Sequence, residues 1–164
     1  MYLIFDMDGV LVDSNPFHKQ AWQSFSTQLG CAITEEVLEK SVYGKTNRDA
    51  LTFLLNRELS AQETQQFADE KEALYRELFK PHLQPVTGLN AFLDQMQHER
   101  VFESLAIATS APPDNVDFVL DGLSLRSYFS IIVDETMVTR GKPDPEIYLK
   151  TAERLHAKPD ECWV

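Results

Sequence analysis

The sequence contains little cysteine and no long hydrophobic run. Its two cysteines, Cys31 and Cys162, are far apart in the 164 residues and have neither a disulfide nor a metal-ligand spacing, so we expect free thiols in a reducing compartment. No apolar segment reaches the ~18 residues that a membrane-spanning helix needs, and the first residues lack the pattern of a signal peptide. We therefore expect a cytoplasmic protein with no membrane partner.

Basic residues are also scarce. There are 15 lysines and arginines against 26 aspartates and glutamates, and the formal net charge is −11. Such a charge repels nucleic acid, so we expect no nucleic-acid partner, and we expect a monomer. It also repels phosphate esters, so a site for a phosphorylated molecule would need bound metal or well-placed lysines.

The hydrophobic content of 43% and the aromatic content of 10% are typical of a chain that can fill a core. Apolar segments of strand length occur at residues 2–5, 104–109, 131–133 and 161–164. Segments with helical periodicity or helix-start signals begin near residues 15, 35, 46, 60, 88, 114 and 145. Alternation of strand and helix after residue 85 predicts an α/β fold with a parallel, Rossmann-like sheet. We expect a core of residues 1–14 and 84–164, interrupted after its first strand by an all-helical cap of residues 15–83.

The strongest chemical signal lies where the first strand ends. Asp6 and Asp8 follow a buried apolar run, and Gly9 lets the chain turn sharply. Open parallel sheets place their ligands at this end of the strands. A carboxylate there can attack a phosphoryl group, provided that a cation offsets the repulsion between like charges, and a second carboxylate can protonate the leaving oxygen.

Three short motifs resemble those of the haloacid-dehalogenase-like hydrolases. Residues 5–14 are similar to the first motif, Thr109 and Ser110 to the second, and Lys142 within residues 140–145 to the third. The resemblance implies that Asp6 is the nucleophile and Asp8 the general acid and then the base. It also implies a Mg²⁺ cofactor held by the Asp6 carboxylate and the Asp8 carbonyl, with Thr109, Ser110 and Lys142 binding the phosphoryl group.

The predicted cap resembles that of the branch with β-phosphoglucomutase and sugar-phosphate phosphatases. The resemblance implies substrate contacts in this region from His18, Gly44, Thr46, Asn47 and Lys71. The residues themselves leave alternatives open. His18 could be a surface histidine, and Lys71, among glutamates on a polar helix face, could be a solvated charge. Trp22, at another matching position, is expected in the core, because it lies on an apolar helix face.

Two departures from the β-phosphoglucomutase pattern favour a phosphatase. Ala111, Pro112 and Pro113 follow Ser110, where a mutase would need polar or basic residues, and Asn47 stands where that branch has a basic residue. A mutase must hold its sugar at two phosphates. We therefore expect hydrolysis of small phosphorylated metabolites, with sugar phosphates as the expected substrates and phosphotransfer as the alternative.

The fourth motif of the family, an acidic pair that completes the Mg²⁺ site, is expected just after residues 161–164 and does not occur in the sequence. We therefore expect residues 1–164 to be an incomplete and inactive version of the enzyme. Should they be active, Asp13, Asp134 or Asp144 would have to complete the metal site.

Two further classes of protein stay open at this point. A signalling receiver domain also has an acidic α/β fold with aspartate, Ser/Thr and lysine at strand ends. The predicted insertion of about 70 residues after the first strand argues against it, since such connections normally have 2–6 residues. The missing fourth motif leaves a catalytically inactive binding module as the other alternative.

Overall fold

The computed structural model describes residues 1–31 and 33–164, and these residues form a four-stranded sheet. The strands are Tyr2–Phe5 (β1), Ser104–Ala108 (β2), Ile131–Val133 (β3) and Cys162–Trp163 (β4). Every pairing is parallel and the order is β3-β2-β1-β4. The predicted parallel α/β fold is therefore confirmed, with β2 ending one residue before Thr109.

Three helices accompany this sheet in the part of the chain that the structure describes. They are Leu89–Glu99 (α5), Pro113–Gly122 (α6) and Glu146–Arg154 (α7), numbered after four helices in residues 15–79. Short 3₁₀ turns occur at Arg126–Tyr128, Glu135–Met137 and Pro159–Glu161.

Side chains from both faces of the sheet are buried. Ile4 and Ala106 are paired in register and pack with Ile147 of α7 in one apolar cluster. The next residue of β1, Phe5, points to the opposite face and meets the rings of Phe92 and Phe129 edge-on. A strand covered on both sides has a continuous apolar sequence, which explains why β2 contains almost no polar residue.

The first four helices are Asn15–Gln28 (α1), Glu35–Ser41 (α2), Asn47–Leu55 (α3) and Ala61–Phe79 (α4). Their apolar faces form a separate core that includes Trp22, Phe25 and Leu51. Trp22 is thus a core residue, as expected. Ser60 and Glu63 form a capping box at the start of α4, which fixes where that helix begins.

The chain divides into two units. One consists of Met1–Asp13 and Leu83–Val164 and holds the sheet, and the other consists of Ser14–His82. We call them the α/β unit and the helical unit. Both cysteines are free. Among residues 1–31 and 33–164, no helix combines the length and the apolar character that a membrane span requires.

Candidate active site

Three polar residues follow directly after three neighbouring strands. Asp6 follows β1, Thr109 follows β2 and Asp134 follows β3. Because the strands are parallel, their carboxyl ends lie at one edge of the sheet, where open α/β folds bind ligands. The backbone N–H of Thr109 donates to the Val133 carbonyl at 3.0 Å, which extends the ordered backbone just past the end of β2.

The carboxylate of Asp6 is held at both oxygens. Its Oδ1 accepts a hydrogen bond from the Met7 N–H at 2.8 Å, and its Oδ2 lies 2.8 Å from Nζ of Lys142. The side chain is 35% exposed, so solvent or a ligand can reach it. A carboxylate oriented in this way, beside a cation and open on one side, can act as a nucleophile.

Lys142 reaches this carboxylate from the loop before α7. Besides its contact with Asp6, its ammonium group donates to the Ala108 carbonyl at 3.2 Å and lies 5.1 Å from the centre of the Tyr148 ring. Its side chain is only 24% exposed. The three contacts give a flexible side chain one defined position and bring positive charge to the end of β1.

Asp8 lies in a tight turn that follows Asp6. The Gly9 N–H donates to the Val12 carbonyl at 2.8 Å, and the Leu11 N–H donates to the Met7 carbonyl at 2.8 Å. Gly9 has a φ of 76°, a left-handed backbone conformation that residues other than glycine rarely adopt. The turn keeps Asp8 half-buried, within two residues of Asp6.

Thr109 is fully buried, whereas Ser110 is exposed. The Thr109 hydroxyl accepts a hydrogen bond from the Ala111 N–H at 3.1 Å. A hydroxyl that accepts such a bond still has its own proton to donate.

In the helical unit, three of the predicted residues share one partly buried cluster. Nζ of Lys71 lies 3.1 Å from Nδ1 of His18 and 2.9 Å from Oε1 of Glu72, and the same Glu72 oxygen accepts a hydrogen bond from the Asn47 amide at 3.1 Å. Lys71 is 2% exposed and Glu72 is 6% exposed. The interpretation of Lys71 as a solvated surface charge is therefore wrong.

Aromatic rings surround this cluster. The imidazole of His18 stacks on Tyr75 with ring centres 3.7 Å apart, and Lys71 lies 5.0 Å from the centre of the Trp22 ring. Thr46 caps α3, since its Oγ1 accepts a hydrogen bond from the Asp49 N–H at 3.2 Å. Gly44 is exposed in the preceding turn. The structure thus groups His18, Asn47 and Lys71 and gives Thr46 a contact within its own helix.

Sequence reasoning missed two glutamates that organise these groups. Glu72 joins Lys71 to Asn47, and Glu146 anchors the loop that carries Lys142. A glutamate next to a lysine and a glutamate at a helix start are both common on protein surfaces. The spacing of Glu146 and Lys150, four residues apart, indicated an ion pair on α7, but it indicated neither the contacts of Glu72 nor the hydrogen bonds of Glu146 to the loop.

Asp6 and Asp8 fit part of a Mg²⁺ shell. Mg²⁺ accepts carboxylate and carbonyl oxygens and commonly keeps several waters together with a substrate phosphate. Among the described residues, no group of three or more Asp, Glu, His or Cys side chains lies close enough to hold a metal ion. The carboxylate of Asp134 accepts two hydrogen bonds from Thr136, and that of Asp144 pairs with Arg140.

Comparison with known proteins gives the same assignment along almost the whole chain. The sequence model of the haloacid dehalogenase-like hydrolases matches residues 3–164. A phosphorylated carbohydrates phosphatase of Thermotoga maritima is 33% identical in an alignment of 166 positions. The alignment covers 99% of this chain and 74% of that protein. The β-phosphoglucomutase of Bacillus subtilis is 28% identical, with coverage of 98% of this chain and 72% of that enzyme.

Solved structures agree. The crystal structure of a HAD hydrolase of family IA, variant 3, from Entamoeba histolytica superimposes with a TM-score of 0.86 at 28% identity. The superposition covers 98% of this chain and 73% of that protein. The sequence resemblance is therefore confirmed, and the chain belongs to the haloacid dehalogenase-like hydrolases as a phosphohydrolase.

Proposed function

We propose that this chain is a Mg²⁺-dependent phosphatase of small phosphorylated metabolites, with sugar phosphates as the substrate class. The observation that carries the proposal is the 2.8 Å pair of Asp6 and Lys142 at the carboxyl end of β1. In a chain of net charge −11, Lys142 supplies the local positive charge that a phosphate ester requires. The Thermotoga maritima relative, a phosphorylated carbohydrates phosphatase, supports the substrate class.

In the first half of the proposed reaction, a carboxylate oxygen of Asp6 attacks the phosphorus atom. The bond between phosphorus and the ester oxygen of the substrate breaks, and the carboxylic acid of Asp8 gives its proton to that leaving oxygen. The products of this half are a free alcohol and an aspartyl-phosphate on Asp6.

In the second half, a water molecule attacks the phosphorus of the aspartyl-phosphate. The carboxylate of Asp8 takes the proton from this water, and the bond between phosphorus and Asp6 breaks. Inorganic phosphate leaves, and both aspartates return to their starting protonation states. One residue can serve as acid and then as base because the first half leaves it deprotonated.

The remaining groups bind charge that builds up on the phosphoryl oxygens. We assign this role to Lys142, the hydroxyl of Thr109 and Ser110. Haloacid dehalogenase-like phosphatases generally use Mg²⁺, which when bound lowers the repulsion between the attacking carboxylate and the phosphate. The Asp6 carboxylate and the Asp8 carbonyl would hold the ion.

We assign selection of the leaving group to the helical unit, through His18, Gly44, Thr46, Asn47 and Lys71. The buried contacts among His18, Lys71 and Glu72 support this, because a cation and an imidazole fixed in place can bind sugar hydroxyls with little loss of side-chain entropy. We further propose that the protein acts as a monomer in the cytoplasm.

A β-phosphoglucomutase-like phosphotransferase is the second candidate, and the Bacillus subtilis relative favours it. It would share the first half of the reaction and pass the phosphoryl group to a sugar hydroxyl instead of water. Asn47 weighs against it, because its neutral amide already donates to Glu72.

A panel of phosphorylated sugars, polyols and nucleotides tests the proposal. Purified full-length protein incubated with each compound and Mg²⁺ should release inorganic phosphate from at least one sugar phosphate, and a chelator should stop the release. Absence of phosphate release from every compound, at protein concentrations comparable to those of the substrate, would contradict the proposal.

A further inference from the structure

The loop of residues 138–145, which carries Lys142, is closed by a glutamate at its far end. Glu146 is the first residue of α7, and its carboxylate turns back over the loop. It accepts hydrogen bonds from the Thr139 N–H at 2.9 Å, the Thr139 hydroxyl at 2.8 Å and the Arg140 N–H at 2.8 Å. These contacts tie the start of the loop to its end.

Two cations support the same carboxylate. Nζ of Lys150, one turn further along α7, lies 2.8 Å from Oε1 of Glu146, and Nε of Arg140 lies 3.6 Å from Oε2. Lys150 also donates to the Met137 carbonyl at 2.8 Å, just before the loop. The Glu146 side chain is 11% exposed, and the Lys150 and Thr139 hydrogen bonds hold its pKa below the usual range.

Lys142 extends from the middle of this closed loop. Within the loop, the Asp144 N–H donates to the Gly141 carbonyl at 3.1 Å, and the Glu146 N–H donates to the Asp144 carboxylate at 3.0 Å. The Lys142 backbone is therefore bracketed by hydrogen bonds on both sides. A lysine side chain has four flexible carbons and loses much rotamer freedom when it is held in place, so a fixed backbone helps to aim its ammonium group.

We propose that Glu146 is a positioning residue for catalysis, which fixes the loop so that the Lys142 ammonium stays against Asp6. This inference rests on the proposed phosphatase function. In the part of the chain that the structure describes, the Glu146 carboxylate meets Thr139, Arg140 and Lys150, whereas Lys142 pairs with Asp6. Glu146 therefore acts through the backbone of residues 139–142. Its effect should therefore require Lys142.

Glu146→Gln keeps the volume of the side chain and removes its charge. We expect kcat to fall about 10–100-fold with KM changed less than about threefold, since ~1 Å of misplacement can cost about a hundredfold in rate. Starting from Lys142→Ala, the added Glu146→Gln substitution should lower kcat less than about twofold, because the group that it positions is already gone. A merely structural role would lower activity in both backgrounds alike.

Glu63→Gln is the matched control. Glu63 also accepts a backbone N–H and a hydroxyl from one residue, Ser60, and pairs with a cation, Arg57, but it does so in the helical unit. We expect it to retain the wild-type kcat when measured on folded protein. Should Glu146→Gln fail to fold, Thr139→Val removes a single hydrogen bond to Glu146 and should still lower kcat about threefold, whereas an unchanged kcat would overturn the proposal.

The outcomes separate this proposal from the proposed function. Active wild-type protein with an equally active Glu146→Gln variant would overturn the positioning role alone, as would equal losses in both lysine backgrounds. Inactive full-length wild-type protein would overturn the proposed function. In that case NMR relaxation of the Lys142 side-chain methylenes still decides the positioning role. Increased mobility in Glu146→Gln, but not in Glu63→Gln, supports it, and unchanged mobility overturns it.

Discussion

Asp6 and Lys142 come from distant parts of the sequence and meet because parallel strands align their carboxyl ends. Lys142 contacts Asp6, the Ala108 carbonyl and the face of Tyr148, so its charge is placed by three groups of different chemistry. In a strongly acidic chain this placement matters more than the number of lysines, because long-range repulsion of phosphate is screened in salt while a 2.8 Å contact is not.

The substitution Lys142→Ala tests whether this lysine supplies the positive charge that the phosphoryl group needs. The substitution removes the cation beside Asp6, and we expect kcat to fall about 10²–10³-fold, the typical cost of losing one group that stabilises transition-state charge. Steady-state phosphate release measures it. Lys40→Ala, which removes an exposed lysine paired with Glu36, is the control and should leave kcat unchanged. Equal activity of the two variants would show that Lys142 does not bind the phosphoryl group.

The sequence predicted the residues at strand ends more completely than the residues that support them. Asp6 and Thr109 could be recognised because an apolar run stops at a polar residue, a pattern that is visible without coordinates. Glu72 and Glu146 could not, because their contacts depend on the conformation of a helix pair and of a loop. Their sequence neighbourhoods look like ordinary charged surface.

At the scale of elements, capping chemistry made the helical unit predictable. The sequence indicated helix starts near residues 46 and 60, and there Thr46 accepts a hydrogen bond from the Asp49 N–H and Ser60 forms a capping box with Glu63. The helix beginning at residue 35 was located by its pattern as well. The 3₁₀ turns were not predicted, since three residues are too few to show a periodic pattern.

The capping box gives a pH-dependent prediction. Hydrogen bonds from Arg57 and Ser60 lower the pKa of Glu63 from its usual 4.5 to about 2. A carboxylate whose pKa is lower in the folded protein than in the unfolded chain stabilises the folded state. This stabilisation is complete above the pKa of the unfolded chain, and it is lost as the pH falls through the pKa of the folded protein. Glu63→Gln should therefore lower the free energy of unfolding at pH 7, and the difference from wild type should shrink between pH 4.5 and about 2.

Urea unfolding of both proteins across this pH range measures the difference. Glu58→Gln, an exposed glutamate three residues before Ala61, is a suitable control and should show a smaller pH-dependent difference. A constant difference between wild type and Glu63→Gln at every pH would mean that charge does not contribute to the capping box.

At the scale of the whole molecule, the chain combines the α/β unit with a helical unit that has a hydrophobic core of its own. The parallel α/β fold followed from the sequence, because strand–helix alternation and an uninterrupted helical region have different periodicities, whereas the order of the strands in the sheet was not predicted. The substrate did not follow, since the residues proposed to select it, such as His18 and Lys71, carry polar groups that many phosphorylated sugars could satisfy.

Hydrolysis and phosphotransfer can be separated on the intact protein. We expect phosphate release to exceed interconversion of β-glucose 1-phosphate and glucose 6-phosphate by at least about tenfold, because a mutase must bind a second phosphate and Asn47 lacks the charge to do so. Phosphate assay and NMR of the sugar phosphates measure the two fluxes. Asn47→Arg should raise the transfer flux relative to wild type. Rapid interconversion with little phosphate released by wild type would contradict a phosphatase.

The central claim is that Asp6 takes the phosphoryl group, and phosphate release by Asp6→Asn tests it most directly. The amide preserves side-chain volume and is a far poorer nucleophile. With a sugar phosphate that wild-type protein hydrolyses, and with matching circular dichroism and melting temperature, we expect less than about 1% of the wild-type rate. Residual activity above that level would contradict the claim, because loss of an acid–base group alone typically costs ~10²–10⁴-fold, and the nucleophile would have to lie elsewhere.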